Sequence, residues 1–327
     1  MDGHRAFHPP WWGTNGHVQT ILGPLFRSDP LTLRRERLPT PDGDFVDLDW
    51  LDDDRLGDGA PRLLVLHGLE GSSRSHYVSG LLRSGWATGW HGVALNFRSC
   101  SDELNRLPRF YHSGETGDLA WVIETLVARD PGVPIGAVGV SLGGNVLLKW
   151  LGEVGSMAPA EVRGAVGISV PFDVAASARV LDRGLRRLVY AANFLRTMRS
   201  KVVEKARRYP GFVDVEAALK ARTFARYDRV VTAPLNGFRD EVDYWTRASS
   251  GPYLPRIRRP TLLLASRDDP IVPGATLPDP RGLPPDVRAE FTARGGHAGF
   301  LEGRWPWRPS SWAERRAVEF LTSLLRG

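Results

Sequence analysis

The chain has 327 residues, 42% of them apolar and 24% charged, which is the composition of a globular protein with a sizeable core. Its net charge of +6 comes mainly from arginine, and without zinc-ligand spacing or an RNA-binding aromatic motif it does not indicate nucleic-acid binding. One cysteine, Cys100, excludes an intramolecular disulfide, and neither a signal peptide nor a membrane-spanning run is visible, so we expect a cytoplasmic protein.

Short apolar runs alternate with helical patterns along the chain, which is typical of a mostly parallel sheet flanked by helices. Seven strands are predicted, in chain order, at 45–50, 63–66, 92–97, 135–140, 162–170, 261–265 and 287–292. Helices are predicted where apolar residues recur at helical spacing, at about 114–128, from 141 onward, and at about 311–325.

The spacing of these elements predicts one α/β domain over residues 1–327. Residues 1–44 precede the first predicted strand and are expected to wrap the outside of the sheet. About ninety residues separate the fifth and sixth strands, which is too many for one crossover connection. We therefore expect a helical cap at about 171–258, inserted over the carboxyl edge of the sheet.

Residues 139–143 read Gly139-Val140-Ser141-Leu142-Gly143, a G-x-S-x-G motif directly after a predicted buried strand and before a predicted helix. This context is that of the nucleophile elbow of the α/β-hydrolase fold. Side chains two positions before or after the serine would collide in so sharp a turn, so both positions need glycine. The alternative is a serine that only caps a helix. We favour Ser141 as a catalytic nucleophile because partners for it are also present.

A serine hydroxyl needs a general base, and the base needs a carboxylate that fixes its tautomer. In this fold the chain order is serine, acid, histidine, and His297 is the only one of eight histidines that follows Ser141. Asp268 and Asp269 both follow the penultimate predicted strand and compete for the role of the acid. We prefer Asp269, because the Pro-Ile-Val-Pro run after it matches the turn that usually follows the acid.

The oxyanion hole requires two backbone N–H donors aimed at one point. Leu142, next after the serine, is expected to supply one, and Leu69, in the loop after the second predicted strand, the other. His67 in the same loop is expected to brace it rather than to act as a second base. Cys100 is expected to be structural, because it has neither an elbow nor a histidine partner.

The stretch 179–208 contains ten basic residues and two acidic ones, with apolar residues interleaved. Such a pattern is typical either of a solvated helical face or of a face in peripheral contact with a membrane. We favour the solvated face, because the whole chain is rich in arginine.

Several blocks of the sequence resemble the YheT-like branch of the α/β hydrolases, and the similarity spans nearly the whole chain. The blocks are FHPPW at 7–11, NGHVQT at 15–20, HGLEGS at 67–72, NFRSCS at 96–101, YHSGET at 111–116, the elbow at 138–145 and DDP at 268–270. One departure is that Ser99 and Asp102 stand where the branch usually has glycines. This departure concerns the shape of that loop and not the three catalytic candidates.

The resemblance implies a carboxylic-ester hydrolase that acts on small-molecule or lipid esters through an acyl-serine, with no metal or organic cofactor. Two alternatives use the same scaffold. An acyltransferase would have the same triad but accept an alcohol in preference to water. A non-catalytic binding protein is less favoured, because such proteins normally lack a member of the triad.

Overall fold

The computed structural model describes residues 6–27 and 31–325, and the prediction of a mostly parallel α/β sheet is confirmed. The main sheet has eight strands in the order β1-β2-β4-β3-β5-β6-β7-β8. Only the β1–β2 and β2–β4 pairs are antiparallel. The strands are β1 (Arg34–Pro39), β2 (Phe45–Leu51), β3 (Arg62–Leu66), β4 (His91–Asn96), β5 (Ile135–Val140), β6 (Val162–Ile168), β7 (Thr261–Ser266) and β8 (Val287–Thr292).

Two apolar cores, one on each face of the sheet, hold the layers together. In β3, Leu64 and Leu66 belong to the core that includes α3 (Gly117–Arg129) and α4 (Leu142–Val154). Leu63 and Val65 belong to the core on the other face, with α2 (His76–Ala87) and α12 (Trp312–Leu325). The continuous apolar run of this strand therefore reflects burial on both faces, as expected for the centre of a parallel sheet.

The described residues before β2 contain two elements of secondary structure. They form α1 (Gly16–Phe26) and the edge strand β1, which the sequence pattern did not predict. Five of the six residues of β1 are charged or proline, so the strand has no apolar alternation. Residues 1–5 and 28–30 of this predicted segment lie outside the described residues.

The connection between β6 and β7 is helical, and we propose that residues 171–258 form the predicted cap, the name used for them below. Its own apolar core includes Leu181, Phe224 and Trp245 and contacts Ile271 and Val272 in the loop after β7. The remaining α-helices among the described residues lie in the cap and are α5 (Val174–Leu181), α6 (Gly184–Arg186), α7 (Ala192–Arg208), α8 (Val215–Lys220), α9 (Phe224–Tyr227), α10 (Ala233–Leu235) and α11 (Glu241–Ala248), with π-helical turns at Arg187–Ala191 and Asp228–Thr232.

Residues 174–208 show one long helical pattern in the sequence, but the structure divides them into shorter helices. The chain breaks after Leu181, where Gly184 adopts a positive φ of 55°. Arg183 is extended, and the Asp182 carboxylate accepts hydrogen bonds from the N–H groups of Phe224 and Ala225. Within residues 6–27 and 31–325, no helix combines the length and the apolar character needed to cross a membrane.

Candidate active site

Ser141 occupies a strained turn between β5 and α4. Its backbone lies at φ 54° and ψ −121°, a conformation that non-glycine residues rarely adopt. The turn is close-packed, because a Cβ on Gly139 would lie 2.5 Å from Gly143 O and one on Gly143 would lie 2.5 Å from His67 O. The glycines of the motif are thus required by the close approach of three backbone segments around the serine.

The structure brings Ser141, His297 and Asp269 into one hydrogen-bonded chain. His297 Nε2 lies 2.9 Å from Ser141 Oγ, and His297 Nδ1 lies 2.8 Å from Asp269 Oδ2. The geometry fits a serine hydroxyl that donates to Nε2 and an Nδ1–H that donates to the carboxylate. Residues from β5, β7 and β8 meet here because parallel strands end at the same edge of the sheet.

The two neighbouring aspartates make different contacts. The second oxygen of Asp269, Oδ1, accepts the N–H groups of Ile271 and Val272 at 2.7 and 2.9 Å. Asp268 Oδ1 instead accepts the N–H of Gly296, in the loop that presents the histidine. Asp269 therefore contacts the imidazole, and Asp268 braces the backbone next to it.

Helix α1 holds the histidine loop in place, a role that sequence reasoning missed. The N–H of His297 donates to Thr20 Oγ1 at 2.9 Å. Gln19, fully buried, donates to Leu301 O and accepts from Leu301 N–H, so it fixes the far end of the loop. The NGHVQT block at 15–20 was the signal in the sequence that could have indicated this role, because it contains both Gln19 and Thr20.

The loop after β3 lies against the nucleophile. A Cβ on Gly68 would come within 3.2 Å of Ser141 Cβ, so the chain passes closer here than a larger residue allows. Two tyrosine hydroxyls hold this loop on either side of Leu69: the Gly68 N–H donates to Tyr77 and the Glu70 N–H donates to Tyr111. Both N–H groups flanking Leu69 are therefore committed to protein acceptors.

The N–H groups of Leu69 and Leu142 remain as the predicted oxyanion donors. None of the hydrogen bonds among the described residues uses the Leu69 N–H. Leu142 is the first residue of α4, where a backbone N–H has no acceptor within its own helix. The amino end of a helix also favours negative charge, which suits this edge of the sheet to a developing oxyanion.

His67 is placed as a brace. Its ring is buried and accepts the Phe97 N–H at Nε2, so its Nδ1–H donates to Gly68 O at 2.7 Å. Burial lowers the pKa of His67 to about 4, which keeps the imidazole neutral at physiological pH. A neutral ring with both nitrogens engaged has no free site for a proton from a substrate.

Cys100 is buried in the loop after β4. Burial raises the pKa of its thiol to about 12, so the reactive thiolate is disfavoured. Ser99 adopts a positive φ of 63°, and its Oγ lies 2.5 Å from Asn105 Oδ1. The loop thus keeps a glycine-like backbone with a serine that a neighbouring amide stabilises.

Six of the ten basic residues of the stretch 179–208 are exposed, as expected for a solvated face, but two of its lysines contact the sheet domain instead. Lys201 on α7 forms an ion pair of 2.8 Å with Glu70, next to Leu69 in the proposed oxyanion loop. Lys205 is fully buried and donates to Asn105 O and Leu107 O. Both lysines therefore fasten the cap to the sheet domain.

A cavity of about 740 Å³ opens above Ser141 and His297. Its walls are mainly apolar, and many of the lining residues come from α1, the loop after β3 and the cap. The cap supplies a set of apolar and aromatic side chains, among them Val174, Leu181, Phe194, Met198, Phe224 and Trp245. A volume of ~300–1,000 Å³ is usual for sites that bind small organic ligands.

Asp228 is a buried carboxyl group in the cavity wall. Its oxygens accept hydrogen bonds from Thr232 Oγ1 at 2.7 Å and Trp245 Nε1 at 2.8 Å. Burial, with smaller contributions from Asp182 and Glu241, raises the pKa of Asp228 from 3.8 to about 7. The folded state therefore disfavours the carboxylate.

The raised pKa of Asp228 predicts a pH-dependent stability. As pH rises from the unfolded pKa towards 7, the unfolded chain ionises first, and folding loses up to ~4 kcal/mol. Asp228→Asn stays neutral, so we expect it to have a higher melting temperature than wild type at pH 8 and a shrinking difference towards pH 4.5. Asp173→Asn, at an exposed helix N-cap where both residues cap well, serves as the control in thermal melts. An Asp228→Asn protein that is less stable at pH 8 would contradict the assignment.

The fold and these residues place the chain in a defined class. Residues 61–304 match the model of the α/β hydrolase fold, and the chain belongs to this family. It is 40% identical to YheT of Escherichia coli, a protein provisionally named an esterase, over 95% of this chain and 92% of that one. It is also 32% identical to phospholipase ABHD3 of Homo sapiens, over 98% of this chain and 80% of that one. The predicted membership of the YheT-like branch is thus confirmed.

Solved structures share the fold at lower identity. The esterase Pf2001 of Pyrococcus furiosus has a TM-score of 0.54 and 17% identity, covering 99% of this chain and all of that chain (100%). At this identity the likeness concerns the arrangement of the sheet and helices alone.

Proposed function

We propose that this chain is a serine hydrolase that cleaves carboxylic esters through an acyl-serine at Ser141. The observation that carries the proposal is the hydrogen-bonded chain from Ser141 Oγ through His297 to Asp269, with distances of 2.9 and 2.8 Å. The relatives named esterase and phospholipase support the same class of reaction.

The first half of the reaction forms the acyl-enzyme. His297 Nε2 takes the proton of Ser141 as Oγ attacks the ester carbonyl, and Asp269 stabilises the imidazolium that results. The Leu69 and Leu142 N–H groups bind the oxyanion of the tetrahedral intermediate. The intermediate collapses when the imidazolium protonates the leaving alcohol.

The second half releases the acid. His297 removes a proton from water, which attacks the acyl-serine carbonyl, and the same N–H groups bind the second oxyanion. The protonated His297 then returns the proton to Ser141 Oγ and the free acid departs. Every step uses only residues of this chain and water.

The cavity supports an ester with an apolar acyl or lipid-like part. Its mainly apolar walls remove such a group from water, and each buried methylene contributes ~0.8 kcal/mol, or roughly a fourfold gain in binding. Among simple esters we therefore expect kcat/KM to rise from acetate to longer acyl chains until the cavity is filled.

The proposal is tested with the purified protein and a p-nitrophenyl ester series from acetate to palmitate. We expect turnover with an optimum above acetate, and covalent labelling of Ser141 by a fluorophosphonate probe, located by mass spectrometry of the labelled peptide. Adding an alcohol distinguishes hydrolysis from acyl transfer, because transfer gives a new ester. Absence of both turnover and labelling would overturn the proposal.

A further inference from the structure

Helix α1 exposes apolar side chains on one side. Ile21, Leu25 and Phe26 are all exposed, and Leu25 is 62% accessible to solvent. The helix Gly16–Phe26 contains no aspartate, glutamate, lysine or arginine. Several large apolar residues exposed together on one short, uncharged helix are typical of a surface with a partner other than water.

A second apolar patch lies in the cap, on α6 and the π-helical turn that follows it. Leu185 and Leu188 are 74% and 65% exposed, and Val189 next to them is exposed as well. The three residues stand at i, i+3 and i+4 in a helical segment, so they share one side of it.

The two patches flank the mouth of the cavity. Ile21, Leu25 and Val189 are exposed and also line the cavity above Ser141, so the cavity opens to solvent between them. His17 Nδ1 and Tyr190 OH, 2.8 Å apart with their rings stacked, join α1 to the cap segment at this point. The two patches therefore form one apolar rim, consisting of Ile21, Leu25, Phe26, Leu185, Leu188 and Val189.

The charges next to the rim are mostly positive, since Asp182, the acidic residue before Arg183, is half-buried and accepts the N–H groups of Phe224 and Ala225. Arg183, Arg186 and Arg187 belong to the same cap segment, and neither α1 nor residues 183–194 contain an acidic residue. In the part of the chain that the structure describes, no carboxylate lies within ion-pair distance of these three arginines. Arginines without a carboxylate at ion-pair distance, beside an apolar surface, complement an anionic lipid surface, where each contributes about fivefold in affinity.

We propose that the apolar rim docks on the surface of an anionic phospholipid bilayer. The leucines enter the boundary between head groups and acyl chains, and the arginines contact the phosphates, as in amphipathic segments that lie in the membrane plane. The cavity mouth then faces the bilayer, and a lipid ester passes into it without crossing water. The passage of a lipid ester into the cavity rests on the proposed function, whereas the docking itself does not.

Docking is tested by flotation of the whole protein with vesicles, using Ser141→Ala as the parent so that lipid is not consumed. Vesicles of phosphatidylcholine with phosphatidylglycerol are expected to bind it, more tightly than pure phosphatidylcholine and less tightly at high salt. Adding Leu185→Gln and Leu188→Gln should lower the affinity roughly tenfold or more. Adding Arg183→Gln and Arg187→Gln should lower it roughly 25-fold on the anionic vesicles alone.

The matched control is Met157→Gln with Leu219→Gln. Both residues are exposed and apolar, Met157 at 83%, and neither lines the cavity. This control should float like the parent. Flotation that is lost equally in the control and the rim variant would overturn the proposal, because the rim would then have no special role.

Turnover of a short soluble ester separates failure of docking from failure of the proposed function. Leu185 and Leu188 lie outside the cavity lining. The double leucine variant, made this time in the protein that retains Ser141, should therefore keep wild-type turnover of that ester. Vesicle binding without any ester turnover would sustain the docking surface and remove the hydrolase. Ester turnover without vesicle binding would sustain the hydrolase and overturn the docking surface. A wild-type dimer that the leucine variant converts to monomers in light scattering would assign the rim to a second copy and overturn the proposal.

Discussion

Ser141→Ala is expected to lower kcat for ester hydrolysis by ~10⁵–10⁶-fold, with little change in KM. The alanine has no oxygen to attack the carbonyl, so no acyl-enzyme forms, while the cavity walls that bind the substrate remain. The protein should still fold, because alanine has the same Cβ as serine at this strained φ of 54°. The measurement is steady-state turnover of the best p-nitrophenyl ester, with thermal melts of both proteins.

Ser177→Ala provides the control for this substitution. Ser177 also lines the cavity, and its buried hydroxyl has no hydrogen-bond partner among the described residues. The same change of side chain in the same cavity should therefore leave kcat within a few-fold of wild type. If Ser141→Ala retained substantial turnover that its melting curve did not explain, another nucleophile would be at work.

The sheet and its order along the chain could be predicted because local patterns determine them. Strands such as β3, β5 and β7 are buried over their whole length, so each appears as a continuous apolar run. The turn at Ser141 could be predicted for a similar local reason, since the steric demand of the elbow is met by glycines two residues away. His297 followed from chain order, which a fold of known topology constrains.

Features that depend on contacts between residues far apart in the sequence were not predicted. β1 has an almost wholly polar sequence and joins the sheet edge, where Arg35 and Arg37 pair with Asp49 and Asp47 of β2. The role of Thr20 depends on a backbone group 277 residues away. Lys205 looked like a solvated basic residue, and only the fold shows the carbonyl groups that it binds. The periodicity of apolar residues does not indicate such contacts, because they form between residues that are distant in the sequence.

Asp269→Asn is expected to lower kcat by ~10⁴-fold while the protein stays folded. The Ile271 and Val272 N–H groups at Oδ1 require an oxygen there, so the asparagine must turn its NH₂ towards His297 Nδ1. An amide donor facing Nδ1 forces the proton onto Nε2, and the imidazole can then no longer accept the proton of Ser141.

The neighbouring substitution Asp268→Asn tests this reasoning with the same chemistry one residue away. Its amide oxygen can still accept the Gly296 N–H, so we expect kcat to fall less than tenfold. Steady-state kinetics of both variants, with melting temperatures to confirm folding, decides between the two aspartates. A larger loss in Asp268→Asn than in Asp269→Asn would transfer the role of the acid to Asp268. The two measured rates therefore test whether the carboxylate acts by fixing the tautomer of His297 or only by bracing its loop.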